Sequence, residues 1–275
     1  MKTLSGIGKL DRQRLAEIIR GTKGSVSVTE AANILNLSSP KVAKMLSRWA
    51  KKGWLSRVRR GIYIQIPLES RTADTILEDP WIIAERLFAP CCIGGWSAAE
   101  YWGLTEQIFR TVLVMTQQKP RNRSQVIKST KFLLRTVSNK AMFGIKPVWK
   151  GQVKVSVSDP TRTIIDILND PQLGGGIRST MDIFINYLKS EMANMDLLLE
   201  YAKQFGVGAV YKRLGFLLEC FAPDKKTAIN ICQLSLTAGN ARLEPKSRQG
   251  GTNRLITRWR LWIPESWTNY KGAQG

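Results

Sequence analysis

Residues 27–67 carry two helix starts, a tight turn and a hairpin turn in one unbroken run, and few folds accommodate that order. Ser27 and Glu30 form an S-x-x-E capping box, in which hydroxyl and carboxylate each take a backbone N–H of the opening turn. A helix is therefore predicted through "SVTEAANILN" (27–36), with Ala31, Ala32, Ile34 and Leu35 on its apolar side. "LSSP" (37–40) predicts a tight turn, with Ser39 as N-cap and Pro40 as the first helical residue, where a missing N–H is harmless. The next helix, "PKVAKMLSRWAKKG" (40–53), divides cleanly: Val42, Met45, Leu46 and Trp49 form one face, and Lys41, Lys44, Arg48 and Lys51 the other. Upstream, "DRQRLAEIIRG" (11–21) sets Leu15, Ile18 and Ile19 on one stripe and predicts a short amphipathic helix.

The segment after the basic helix completes the unit. In "WLSRVRRGIYIQIP" (54–67), Ile62, Ile64 and Ile66 alternate with Tyr63 and Gln65, and Gly61 supplies the positive φ that a tight hairpin turn needs. Arg57, Arg59 and Arg60 tip that hairpin. Two helices joined by a short turn, the second with a basic stripe and followed by a basic hairpin, are the layout of a winged helix-turn-helix. Cations on the exposed face of the third helix can pair with guanine O6 and N7 in a major groove. Arginines on the wing suit phosphates or the minor groove. The competing reading is a solvated charged face; the cap, turn, helix and wing in this order argue against it. Residues 1–70 hold fourteen basic and four acidic residues, in keeping with a polyanionic partner.

The whole chain repeats that bias. Its 275 residues carry 42 Lys and Arg against 21 Asp and Glu, a net charge of +21. Such self-repulsion favours a nucleic-acid partner. An acidic membrane surface is the weaker candidate, since no apolar run approaches a membrane span. "MKTLSGIGKLDRQ" lacks the apolar stretch of a signal peptide, so the expected location is cytoplasmic. The sequence contains no histidine, which excludes Ser-His and Cys-His catalytic pairs and any His-bearing metal site. Cys91, Cys92, Cys220 and Cys232 form no C-x-x-C and sit among apolar neighbours, so they are read as buried thiols.

Around "ESRTADTILEDP" (69–80) the charge turns acidic, which places the expected boundary between an N-terminal DNA-binding domain (1–68) and a C-terminal domain (80–275). A helix over "PWIIAERLF" (80–88) and strands over 111–117, 131–137 and 153–159 are predicted in the second domain. No acidic residue occurs from Gln107 to Ser158, where eleven basic residues lie. Arg110, Lys119, Arg121, Arg123, Lys128, Lys131 and Arg135 are candidates within it for a second anionic contact, with DNA, RNA or the acidic face of a protein. "SDPTRTIIDIL" (158–168) predicts a helix capped by Asp159 and opened by Pro160; pairing Asp159 with Asp166 as metal ligands is the less economical alternative. Helices follow over 179–190, 194–206 and 207–221, with a loop at Asp224-Lys225-Lys226, a polar loop over 244–253 and a final strand over 254–264. The tail after Glu265 is expected to fray. The fold class is α+β: a winged helix-turn-helix followed by a larger mixed α/β domain.

"IGGWSAAEYWGL" (93–104) approaches the G-x-S-x-G elbow of a serine hydrolase, but with no histidine Ser97 has no base to take its proton. Ser97 instead reads as the cap of a short helix ending at Gly103, with Trp96, Tyr101 and Trp102 as packing anchors.

Four stretches in order carry a family resemblance: "RRGIYIQIP", "IGGWSAAEYWGLTEQIF", "VSDPTRTIIDIL" and "YKRLGFLLE". Over residues 8–265 the chain resembles the AbiEi family, the antitoxin half of bacterial AbiE-type (type IV) toxin–antitoxin systems, a phage-defence class. The resemblance implies an N-terminal winged helix that represses its own operon by binding double-stranded operator DNA. It further implies a C-terminal domain that counteracts a nucleotidyltransferase-like toxin. Lys41, Lys44, Arg48, Arg59 and Arg60 would then lie where the family binds its operator. No catalytic residue, cofactor or metal is carried over, so the protein is expected not to be an enzyme. Two other readings compete: a stand-alone winged-helix regulator with a sensing domain, and a metal-dependent nucleic-acid-processing enzyme.

Overall fold

The computed structural model describes residues 6–22, 25–65, 79–127, 129–151, 153–245 and 253–267. Ile66, most of the expected 69–80 linker, Lys128, residues 246–252 of the expected polar loop and the tail from 268 lie outside them. The architecture is mixed α+β. The chain divides into two compact units built from interleaved segments: Met1–Cys91, Arg110–Thr136 and Pro147–Ser156 form one, and Cys92–Phe109, Val137–Lys146 and Val157–Gly275 the other.

The first unit opens with α1 (Lys9–Gly21), β1 (Ser25–Ser27), α2 (Val28–Leu35), α3 (Ser39–Lys51), β2 (Leu55–Arg59) and β3 (Ile62–Gln65). The capping box forms as the sequence predicts: Glu30 N–H donates to Ser27 Oγ and Ser27 N–H to Glu30 Oε2. One expectation is corrected. The N-cap of α3 is Ser38, not Ser39, because Val42 N–H closes the first turn on the Ser38 carbonyl and leaves Ser39 inside the helix. Leu15, Ile18, Ala31, Ala32, Val42, Met45, Leu46 and Trp49 interlock as a core with Val26, Leu55 and Tyr63. The strand β1, too short to show a period in the sequence, pairs antiparallel with β3 and makes the wing three-stranded, in the order β1-β3-β2. Tyr63 and Ile64, consecutive in β3 and on opposite faces of it, are both buried.

Next come α4 (Pro80–Phe88), β4 (Cys91–Ile93), α5 (Gly95–Tyr101), β5 (Thr111–Thr116), β6 (Ser124–Ile127), β7 (Thr130–Thr136), β8 (Ile145–Lys150) and β9 (Val153–Ser158). Asp79 Oδ1 accepts from Trp81 N–H and starts α4, which buries Ile82, Ile83, Ala84, Leu87 and Phe88. Within the first unit β5 and β7 pair in parallel and β6 adds antiparallel to β7. Phe132 and Leu134 of β7 face the core, where the Phe132 ring meets Phe88. Lys131, Leu133 and Arg135 take the opposite face by the period of two.

In the second unit, Gly94 caps α5 and Ser97 lies buried inside the helix, so the expected Ser97 cap is also corrected. Gly103, at φ +67, ends the helix, and Trp102 Nε1–H donates to Ser158 O at 2.7 Å. Trp96 is buried and stacked on Phe109, whereas Tyr101 is exposed. The chain continues through α6 (Pro160–Asn169), α7 (Ile177–Lys189), α8 (Met195–Phe205), α9 (Gly208–Phe221) and α10 (Lys226–Leu234) to β10 (Ala241–Arg242), β11 (Asn253–Ile256) and β12 (Leu261–Pro264). Helix α6 is buried over residues 160–168, and its C-terminal carbonyls are met by Arg213, whose Nη1 donates to Leu168 O and Asn169 O. A cation there suits the helix dipole, although burial pushes the Arg213 guanidinium down to about 10.

The single strand expected over 254–264 is instead a hairpin. Residues 257–259 form a 3-10 turn, Arg260 takes φ +50, and β11 folds back antiparallel on β12. The alternation that looked continuous hides the reversal because Trp259, at the turn, is itself buried.

Candidate nucleic-acid interface

Helix α3 is fixed from beneath. Val42, Leu46 and Trp49 are fully buried, so Lys41, Lys44, Arg48 and Lys51 are necessarily turned outward, and all four are exposed. Ser39, at the start of the helix, is exposed as well. The wing is a tight hairpin with Gly61 at φ +81 and a register irregularity between Arg57 and Arg59. Arg57, Arg59 and Arg60 are all exposed there. Every cation that the sequence pattern singles out in residues 1–68 is therefore on the surface, on α3 or on the wing.

One of them has a partner that the sequence conceals. Arg48 Nη2 donates to both carboxylate oxygens of Asp11 in α1, at 3.0 and 2.9 Å. Asp11 lies 37 positions away, so only the packing of α1 on α3 brings the pair together. A second hidden pair involves Glu30, whose Oε1 accepts from Arg86 Nη1 of α4 at 2.7 Å. Burial works against the Glu30 charge, but the hydrogen bonds from Ser27 and the Arg86 guanidinium outweigh it and hold the carboxyl below its ordinary value.

The second basic set is more dispersed. Arg110 is exposed just before β5, and Lys119, Arg121 and Arg123 are exposed between β5 and β6. Lys131 and Arg135 share one face of β7, with Lys131 exposed and Arg135 partly covered. The six described members all belong to the first unit; Lys128 lies outside the described residues.

The carboxylates of the alternative metal pair are engaged. Asp159 Oδ1 takes Arg162 N–H and Oδ2 the Tyr201 hydroxyl, whereas Asp166 Oδ1 pairs with Arg162 at 2.9 Å and Oδ2 takes Ser158 Oγ–H. Burial pushes the Asp166 carboxyl up, against the pull of Arg162. The buried Arg162 guanidinium also lies 4.1 Å from the Phe143 ring centroid and 4.9 Å from that of Phe205. This is a satisfied structural network holding the start of α6. Among the described residues, no group of three or more Cys, Asp or Glu is placed to hold a metal ion.

Helix, turn, exposed basic helix and basic wing define a winged helix-turn-helix of the DNA-binding regulator class. Residues 13–64 match the family model described as "Transcriptional regulator, AbiEi antitoxin". None of the curated proteins matches the chain. The fold is similar to that in the crystal structure of RV2827C protein from Mycobacterium tuberculosis, with a TM-score of 0.60 and 13% identity, covering 95% of this chain and 94% of that one. No helix among the described residues is long and apolar enough to cross a membrane.

Proposed function

We propose that this protein is a DNA-binding antitoxin that represses its own toxin–antitoxin operon through residues 1–68 and counteracts a nucleotidyltransferase-like toxin through residues 80–275. The observation that carries the repressor half is the division of α3. Its apolar face is sealed in the core while Lys41, Lys44, Arg48 and Lys51 stand exposed beside a wing bearing Arg57, Arg59 and Arg60. Lys44 and Arg48 read base edges in the major groove, and the wing arginines hold phosphates. The match of residues 13–64 to a family of antitoxin transcriptional regulators supports the same assignment.

The antitoxin half rests on the resemblance of the later motifs. Arg110, Lys119, Arg121, Arg123, Lys128, Lys131 and Arg135 form its candidate contact with an anionic partner, nucleic acid or protein. A repressor of its own operon works in the cytoplasm, and its role requires no catalytic residue.

Two experiments test the two halves separately. A gel shift on the promoter of its own operon should show binding that weakens on Lys44→Ala; undiminished affinity refutes the recognition-helix assignment. Co-expression with the neighbouring gene product should rescue growth. A toxic neighbour that the full chain fails to neutralise refutes the antitoxin half and leaves a stand-alone regulator.

A further inference from the structure

Within the first unit an open pocket of about 590 Å³ is lined by Glu85, Arg86, Ala89, Trp149, Val153 and Lys154. Its volume is in the range of sites that hold small molecules or single nucleotides. Neither the family match nor the operator-binding surface involves it. Trp149, on β8, is 60% exposed, so most of a large apolar ring is left to solvent at the pocket. An isolated exposed apolar residue is unremarkable in a folded protein. Trp149 is not isolated: Lys154 Nζ lies 5.0 Å from its ring centroid, and Arg86 lines the same pocket.

The remaining polar group is Glu85. Ser156 N–H donates to its Oε2 at 3.3 Å, which leaves Oε1 as an acceptor. Burial pushes this carboxyl up, and the Ser156 N–H and the Arg86 guanidinium pull the other way. An exposed indole with Lys154 over its ring, and a second cation and an acceptor lining the same pocket, are the complement of a nucleobase with its phosphate. The ring stacks on the base, Lys154 and Arg86 neutralise the phosphate, and the carboxylate accepts from a base amino group. A lone acidic side chain would match the cations but would offer neither a ring to the indole nor an N–H to Glu85.

We infer that this pocket binds a nucleobase of single-stranded nucleic acid, stacked on Trp149, with Lys154 and Arg86 on its phosphate and Glu85 on an exocyclic amino group. Cytosine presents an amino group where uracil presents a carbonyl, so the site favours C over U. Arg86 is also the partner of Glu30 in α2, so a phosphate bound here competes with a contact of the winged-helix segment. The inference does not depend on operator recognition, since the pocket contains none of the α3 or wing cations.

The test is fluorescence anisotropy of the full chain with labelled oligo(rC), oligo(rU) and oligo(dC) of about twelve nucleotides. It is run near ~0.15 M salt so that diffuse charge is screened. Wild-type protein should bind oligo(rC) more tightly than oligo(rU). Trp149→Ala should weaken oligo(rC) binding by about 5- to 150-fold, the effect of losing one stacked base, and Trp149→Phe should restore most of it. Glu85→Ala should abolish the C-over-U preference. The oligo(dC) arm reads whether the 2′-hydroxyl contributes, and binding of either sugar type supports the site. Equal affinities for wild type, Trp149→Ala and Trp149→Phe overturn the inference. So does single-strand binding lost only on Lys44→Ala, or binding of phosphatidylserine vesicles without any binding of oligonucleotide.

Discussion

Substituting Asp11 by Asn should tighten operator binding, although Asp11 lies outside the helix proposed to read DNA. Arg48 is held by Asp11, and it must leave that carboxylate before it can reach a base or a phosphate. The strength of the restraint follows from its geometry. A single guanidinium nitrogen straddles both oxygens instead of two nitrogens gripping them in parallel, and the side chains are 55% and 20% exposed. Such a pair is worth about 0.2–1 kcal/mol, so releasing Arg48 should raise affinity by about 1.4- to 5-fold. The substitution also removes a negative charge from beside the DNA-facing helix, which acts in the same direction. The assay is fluorescence anisotropy on an operator fragment across a salt series. If Arg48 gains a phosphate contact on release, the log–log salt slope steepens by about 0.9; if it already makes that contact, affinity rises at constant slope. The double substitution Asp11→Asn/Arg48→Ala should lose most of the gain, because the two residues act through one another. An Asp11→Asn protein that melts normally yet binds no more tightly than wild type would refute the view that this pair restrains Arg48.

Other outcomes follow from the same geometry. Arg162→Met strands Asp166 as an unpaired buried carboxylate and should cost about 3–5 kcal/mol in urea unfolding, much of it recovered by adding Asp166→Asn. Glu30→Gln should remove pH dependence at the acid end. Because the folded-state carboxyl lies below its unfolded value of 4.5, its stabilisation is present above that value and lost as pH falls through the lower folded one. The melting-temperature gap between wild type and Glu30→Gln should therefore close on acidification; a gap constant with pH contradicts the assigned bonds. Gly215→Ala would drive a Cβ into the Trp259 ring, and calorimetry should register a destabilisation of at least about 1–3 kcal/mol.

The basic amphipathic helix was legible in residues 39–51 because an amphipathic helix writes its burial into its period. Val42, Met45, Leu46 and Trp49 alone decide which way Lys41, Lys44, Arg48 and Lys51 face. Local capping chemistry was equally legible where it is short-range, as at Ser27–Glu30 and at Asp159, whose side chain accepts from Arg162 N–H. Short strands were not: β1, β4 and β6 hold three or four residues each, too few for a period, and they exist only because a partner strand supplies their hydrogen bonds. The hairpin over 253–264 was hidden for a related reason, since its turn residue Trp259 is buried by α9 rather than exposed as turn residues usually are. Sequence by itself thus determined which faces the helices bury and which cations are left outside, because those choices depend on neighbours three or four positions away, whereas the first residues of α3 and α5 were misplaced by one and three positions. Only the tertiary structure decided that Asp11 restrains Arg48, that Glu30 serves both its own helix and Arg86, and that Trp149 shares a pocket with Glu85. Each of those contacts joins residues tens of positions apart, and its energy depends on a distance that no local pattern encodes.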